Sequence, residues 1–204
     1  MEVEAKYAVS AADLTVVAGL SRLGTYALRA EPAPERQQNR YFDTADRRLG
    51  QARYGLRLRE VGGRSLVTLK GPAEVSAGLH RRAEYEFAHG DPDPRTWPAG
   101  PARELALALI GSAPLLPTLT IVTRRELIFA SYQGHEVAEI CLDHGVFQVD
   151  GREVPFSELE IEQLPGGAES DLAAIAAALR EHIDLLPEPR SKLQRGLALL
   201  GHAD

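Results

Sequence analysis

The sequence has a single cysteine, Cys141. That excludes an intrachain disulfide and any multi-cysteine zinc site, and a small buried hydrophobe is the expected role for this thiol. No apolar run reaches the length needed to span a bilayer, and the start of the chain has no signal-peptide pattern. A cytoplasmic chain that is not bound to a membrane is therefore expected. There is no internal repeat, low-complexity tract or long linker. Positive charge is not in excess either. The formal net charge is -6, which argues against nucleic acid as a partner. What is present is ordinary for a globular chain: 204 residues, 44% hydrophobic and 25% charged, enough to bury a core as one domain. Net charge does not report on a cavity lined by one sign inside a surface coated by the other.

Helical signals are few. Ser10 or Asp13 can cap a helix in "SAADLTVVAGLSRLG", with Gly24 as its stop. Pro101 sits near the first helical position of "PARELALALIGSAP", which ends at Gly111 and Pro114. "ESDLAAIAAALREHI" and "PRSKLQRGLALLG" supply two more. The remainder reads as strands with turns between them.

Those strand segments put charge on one face repeatedly. "EVEAK" alternates Glu2, Glu4 and Lys6 with Val3 and Ala5. "YGLRLRE" sets Arg57 and Arg59 against Leu56 and Leu58, and "SLVTLKG" sets Thr68 and Lys70 against Val67 and Leu69. "HRRAEYEFA" aligns Arg82, Glu84 and Glu86, and "FSELEIEQL" aligns Glu158, Glu160 and Glu162. A solvated sheet face accounts for any one of these segments. Three carboxylates in a row repel one another, however, and need cations from neighbouring strands or a bound divalent ion to offset them. The other reading is a closed sheet with its charged faces inward and its apolar faces under helices.

These segments, with "RYFDT" (Arg40 to Thr44), "TRRE", "CLDHG" and "SKLQRGLALL", occur in the order of the motifs of the CYTH family, the triphosphate tunnel metalloenzymes. "EVEAK" resembles that family's opening Glu-x-Glu-x-Lys motif, and the resemblance runs through the whole chain. It implies an α+β fold in which a closed antiparallel barrel of eight strands forms a tunnel, with helices packed outside. It implies a triphosphate bound with Mg2+ or Mn2+ and, in most members, cleaved. "YFDTADRRLGQARYGLRLRE" is most similar to versions linked to a polyphosphate-binding CHAD domain. Residues 1–204 read as a single CYTH domain with no CHAD domain among them, so a fused or partner CHAD domain is one expected context.

The resemblance gives each charged position a use. Arg57, Arg59 and Arg82 are expected to clamp the phosphates, with Lys6 and Lys70 as point charges. Arg124 and Arg125 fall on opposite faces of one strand, and Arg125 is taken as the inward one. Lys192 and Arg195 lie one helical turn apart, where a helix over the tunnel mouth could aim either inward. Closing the sheet would bring Glu2 and Glu4 beside Glu160 and Glu162, giving a metal seam. Asp143, Glu84 and Glu86 are expected to support a second metal or orient water, with Lys6, Glu84 and Glu86 as the catalytic candidates.

Other residues are expected to be structural. Glu158 is placed at the rim, and Arg81 at the surface or against a helix. Arg47, Arg48, Arg53 and Arg64 are placed in solvent near turns. Asp43 is expected to hold local structure and Trp97 to anchor packing. The histidines at 80, 89, 135, 144, 182 and 202 show no metal-ligand spacing. The leading functional expectation is a metal-dependent triphosphatase acting on inorganic tripolyphosphate or a similar linear triphosphate. The alternatives are a non-catalytic polyphosphate- or nucleotide-binding module, a thiamine triphosphatase and a class IV type adenylate cyclase.

Overall fold

Alternating charged and apolar residues form strands here because each pleat can send one set inward and the other beneath a helix. A computed structural model describes residues 1–76 and 78–201; His202 lies outside the described residues. In chain order the elements begin β1 (Glu2–Ala8), α1 (Ala11–Ala18), β2 (Arg22–Leu23), β3 (Tyr26–Ala30), β4 (Glu35–Thr44) and α2 (Arg48–Gln51). Next come β5 (Gly55–Val61), β6 (Arg64–Lys70), β7 (Glu74–Ser76), β8 (Leu79–Arg82), β9 (Glu84–Ala88) and α3 (Pro101–Ile110). The chain ends with β10 (Leu115–Tyr132), β11 (His135–Val149), β12 (Arg152–Gln163), α4 (Glu169–Leu179), β13 (Leu186–Pro187) and α5 (Lys192–Leu199).

The strands form one antiparallel sheet in the order β7-β8-β1-β12-β11-β10-β4-β5-β6-β9, with β2, β3 and β13 pairing along its flanks. Two expectations are corrected. The sheet has 13 strands, not eight, and its hydrogen-bond ladder does not close. Four of the extra strands are the short flanking pieces β2, β3, β7 and β13; the fifth, and the open ladder, have a local cause. The segment from Leu79 to Ala88 changes partner at Ala83: Arg82 is still opposite Glu2 on β1, while Glu84 is already opposite Lys70 on β6. The Ala83 carbonyl accepts a hydrogen bond from the Gly71 N–H at 2.9 Å instead of joining a ladder. β8, next to one end of the sheet, and β9, at the other end, are thus consecutive pieces of one chain, joined covalently. The neighbouring of the first strand with a strand far along the chain does occur, through the β1–β12 ladder.

Helix ends follow capping chemistry. Ser10 and Asp13 cap α1 reciprocally. The helix stops at Gly19, not at Gly24, and Gly24 instead takes a left-handed φ of 52° in the turn that joins β2 to β3. α3 begins at Pro101 and stops at Gly111 as expected, and Ser191 caps α5.

The apolar faces lie under the helices. Val3, Ala5, Ile140, Leu142, Leu159 and Ile161 pack with α1 and α4, and Leu56, Leu58, Val67 and Leu69 pack with α3 and the buried Trp97. A third cluster joins Leu119, Ile121, Phe147 and Val149 to Leu193 of α5. It sits on the same face of β10 and β11 as Thr123, Arg125 and Asp143, so the inward face turns from charged to apolar toward one end. α5 fits against this apolar end because residue 196 is glycine: an added Cβ would lie 2.3 Å from Leu119 Cδ2. Gly196→Ala is expected to cost about 1–3 kcal/mol of stability through overpacking, read as a lower denaturant midpoint with an unchanged slope.

Candidate active site

The inward faces enclose a cavity of about 780 Å³. Glu2, Glu4, Lys6, Arg57, Arg59, Lys70, Arg82, Glu84, Glu86, Arg125, Asp143, Glu160, Glu162 and Lys192 all line it. Three groups of contacts divide them.

The first group forms where β1 lies between β8 and β12. Register puts Glu4 opposite Glu162, Lys6 opposite Glu160 and Glu2 opposite Arg82. Glu2 accepts from Lys70 Nζ at 2.7 Å and from Arg82 Nε at 2.5 Å, and Arg82 reaches Glu4 at 2.7 Å. Lys70 also stands 3.3 Å from Glu84. Burial alone would raise the Glu2 carboxyl, but Lys70 and Arg82 hold it well below the usual carboxylate range. Burial and Glu160 push Glu4 up despite Arg82, and burial pushes the Lys6 ammonium down despite Glu4 at 3.7 Å. For this last pair desolvation outweighs mutual attraction. Glu162 has no ion-pair partner among the described residues; burial and then Glu2 push its carboxyl up to about 7.

The second group lies where α5 meets β10, β11 and β12. Arg125 makes a fork to Asp143 at 2.7 and 2.6 Å and reaches Glu160 at 2.6 Å. Lys192 stands 2.8 Å from Glu160, 2.9 Å from Asp143 and in contact with Glu158, which also pairs with Arg195. Oxygens of Asp143, Glu158 and Glu160 come within 4.8 Å of one another. Asp143 therefore groups with Glu158 and Glu160 rather than with Glu84 and Glu86. Burial raises both Asp143 and Glu160, but the cations outweigh it and hold them below the ordinary range.

Two expectations fail in this group. Glu158 is fully buried, not at the rim, because the cavity wall here is closed by α5; burial pushes its carboxyl up to about 7 despite Lys192. Arg195 does not line the cavity. Its guanidinium lies behind Glu158 against the rings of Phe147 and Phe156, at 5.5 and 5.3 Å. Its role as a phosphate clamp is thereby replaced by holding Glu158.

The third group, on β4, β5, β6 and β9, is poorer in acid. Arg57 donates to Thr68 at 3.0 Å and to Glu86 at 3.2 Å, and Glu86 also accepts from the Thr68 hydroxyl at 2.8 Å. The Arg57 Nε is buried without a hydrogen-bond partner among the described residues. Arg59 Nε donates to Asn39 Oδ1 at 3.0 Å. Burial, then Arg57 and Arg125, lowers Arg59 to about 10.

The other expectations sort by face. Arg124 points outward to Glu126, and Arg81 pairs with Glu169 of α4. Asp43 accepts from the Thr44, Leu49 and Gly50 N–H groups, fixing the turn into α2. Arg47 and Arg53, expected in solvent, line the cavity; both sit at left-handed φ values of 56° and 62° around α2, where no strand parity predicts direction. The reading also missed Gln37, Asn39, His80 and Glu139 as lining residues. Strand parity could have found them, since His80 is two before Arg82 and Glu139 four before Asp143.

The pH response follows from signs. Glu158 and Glu162 carry folded values of about 7 against 4.5 for an ordinary glutamate, so the folded state holds protons that the unfolded state has released. Stability should fall as pH rises from about 4.5 to about 7. His80, which burial lowers to about 4, opposes this below its ordinary 6.5, but Glu4 and Glu84, whose carboxyls burial also raises, act with Glu158 and Glu162. Thermal melting of metal-free protein across that window is expected to show the decline, and a divalent cation should reverse it near pH 7.

The CYTH domain family model matches residues 1–197. Inorganic triphosphatase of Haemophilus influenzae is 29% identical over 162 residues, covering 79% of this chain and 45% of that protein; the chain spans about half the length of this curated relative. A candidate adenylyl cyclase from Hippeastrum, described as having a dominant triphosphatase activity, superposes with a TM-score of 0.67 at 19% identity, covering 98% of this chain and 95% of the other. A candidate adenylate cyclase from Bacillus halodurans superposes with a TM-score of 0.65 at 25% identity, covering 96% of each chain. No helix of the described residues is long and apolar enough to cross a membrane.

Proposed function

The chain belongs to the CYTH domain family, and from that premise we propose that it hydrolyses a linear triphosphate, inorganic tripolyphosphate, to diphosphate and orthophosphate with a divalent metal. The observation that carries this reading is that one cavity holds a cation and a carboxylate without ion-pair partners among the described residues. Arg59 is bonded to an amide and the Arg57 Nε has no acceptor, which suits an anion, while Glu162, opposite Glu4, suits a cation. A metal triphosphate supplies both.

Glu4 and Glu162, with Glu2 and Glu160 alongside, would hold the metal, Mg2+ or Mn2+. The hard oxygen donor set and the unrelieved repulsion at Glu162 fit such an ion. The acidic trio of Asp143, Glu158 and Glu160 fits it less well, because Arg125, Lys192 and Arg195 already neutralise it. Asp143 then serves to fix Arg125. When bound, the metal would offset phosphate charge and acidify a water.

The protein's own groups would bind and orient. Arg57 and Arg59 hold the phosphate oxygens from β5, with Lys6, Lys70, Arg82, Arg125 and Lys192 around them. Water attacks the terminal phosphorus, the bridging P–O bond breaks and diphosphate leaves with its electron pair. The water proton passes to a carboxylate at Glu84 or Glu86. Glu84 suits that role better: burial raises its carboxyl, whereas its neighbours hold Glu86 low.

A binding module for polyphosphate or a nucleotide, alone or beside a CHAD domain, is the competing reading. Incubation with tripolyphosphate, ATP and thiamine triphosphate under Mg2+ and Mn2+, with products identified, separates them. Orthophosphate and diphosphate in equal amounts from tripolyphosphate support the proposal; cyclic AMP from ATP, or binding without turnover, overturns it.

A further inference from the structure

Asn39 holds Arg59 without neutralising it. The middle of β4 presents Gln37 and Asn39 to the cavity, where β1, β5, β6, β10 and β12 present charged groups. Asn39 is buried, stands opposite Arg59 in the β4–β5 register and accepts from its Nε at 3.0 Å. Arg57, Lys70, Arg82, Arg125 and Lys192 each have a carboxylate in ion-pair contact. Arg59 has none among the described residues.

We propose that Asn39 is a positioning residue that sets anion affinity: its amide oxygen orients the Arg59 guanidinium while withholding the negative charge that would compete with substrate. An aspartate has nearly the same shape and would accept the same hydrogen bond. It would also bind the guanidinium as a charge-assisted pair, which a phosphate oxygen would then have to displace. The surroundings favour such a pair, since Arg59 is half-buried near Arg57 and Arg125, and Glu86, which attracts it, is not in ion-pair contact with it. The amide leaves that attraction for the ligand. This inference rests on the triphosphate reading for the identity of the anion, but not for the charge state of Arg59.

The test compares Asn39→Asp with Asn39→Ala in the whole chain. In substrate-free protein, Asn39→Asp should melt at or above the wild-type temperature and Asn39→Ala below it. With tripolyphosphate, Asn39→Asp should raise KM by about tenfold or more, with a smaller change in kcat. Asn39→Ala should raise KM by about threefold. If Asn39 were only a hydrogen-bond acceptor, the order would reverse, with the aspartate active and the alanine impaired. Asn39→Asp melting below wild type, or retaining wild-type KM, overturns the inference. Failure of wild-type protein to release phosphate overturns the proposed reaction instead, and the melting order still decides the role of Asn39.

Discussion

Glu4→Gln is expected to lower metal-dependent phosphate release by about 10²–10³-fold or more while leaving the fold intact. Glu4 lies between two demands. Arg82 donates to it at 2.7 Å, and Glu162 faces it across the β1–β12 ladder. Burial and Glu160 already raise its carboxyl, so removing the charge relieves repulsion and should not cost stability. What is lost is half of an acidic pair suited to a cation. The expected signature is a collapse of kcat at every metal concentration, with tripolyphosphate still binding at high protein concentration and an unchanged or higher melting temperature. Near-normal rates in this variant would remove the metal from the β1–β12 ladder. The Asp143, Glu158 and Glu160 trio would then be the remaining acidic cluster among the described residues.

Arg59→Ala acts on the other side of the cavity. Its guanidinium is half-buried, neighboured by Arg57 and Arg125, with Glu86 nearby but not in ion-pair contact, and it is bonded to an amide. That arrangement is unfavourable without an anion and would become favourable on binding the proposed polyanion, so its free-energy cost would be returned there. Losing it should lower kcat/KM by about 10²–10³-fold, equivalent to roughly 3–4 kcal/mol, with KM raised and kcat reduced. The substrate-free variant should be no less stable than wild type, because burial and the neighbouring Arg57 and Arg125 disfavour this charge more than Glu86 favours it. The contrast with Arg82→Ala is informative. Arg82 bridges Glu2 and Glu4, and its loss leaves buried carboxylates facing one another.

Much of this site could be read from period-2 alternation. Glu2, Glu4, Lys6, Arg57, Arg59, Lys70, Arg82, Glu84, Glu86, Glu160 and Glu162 point into the cavity as their strand parity requires. Parity is blind to depth along the strands. Leu119, Ile121, Phe147 and Val149 also face inward and fill one end, yet they read in sequence like any core-facing set. That apolar end explains why Glu158 is buried and why Arg195 stacks behind it. Parity is also blind to turns, so Arg47 and Arg53 went unrecognised. The change of partner at Ala83 could not be read either, because alternation continues smoothly from Arg82 to Glu84 while the hydrogen-bond partners change. The overlooked His80, Asn39 and Glu139 obey the parity rule.

The most direct measurement is phosphate release from tripolyphosphate by the wild-type chain during a titration with Mg2+ or Mn2+, each point repeated with chelator in excess. The account predicts saturable release, one orthophosphate for each diphosphate, that depends on the metal and disappears with the chelator. Tripolyphosphate that binds in the cavity but is not cleaved under either metal would contradict it.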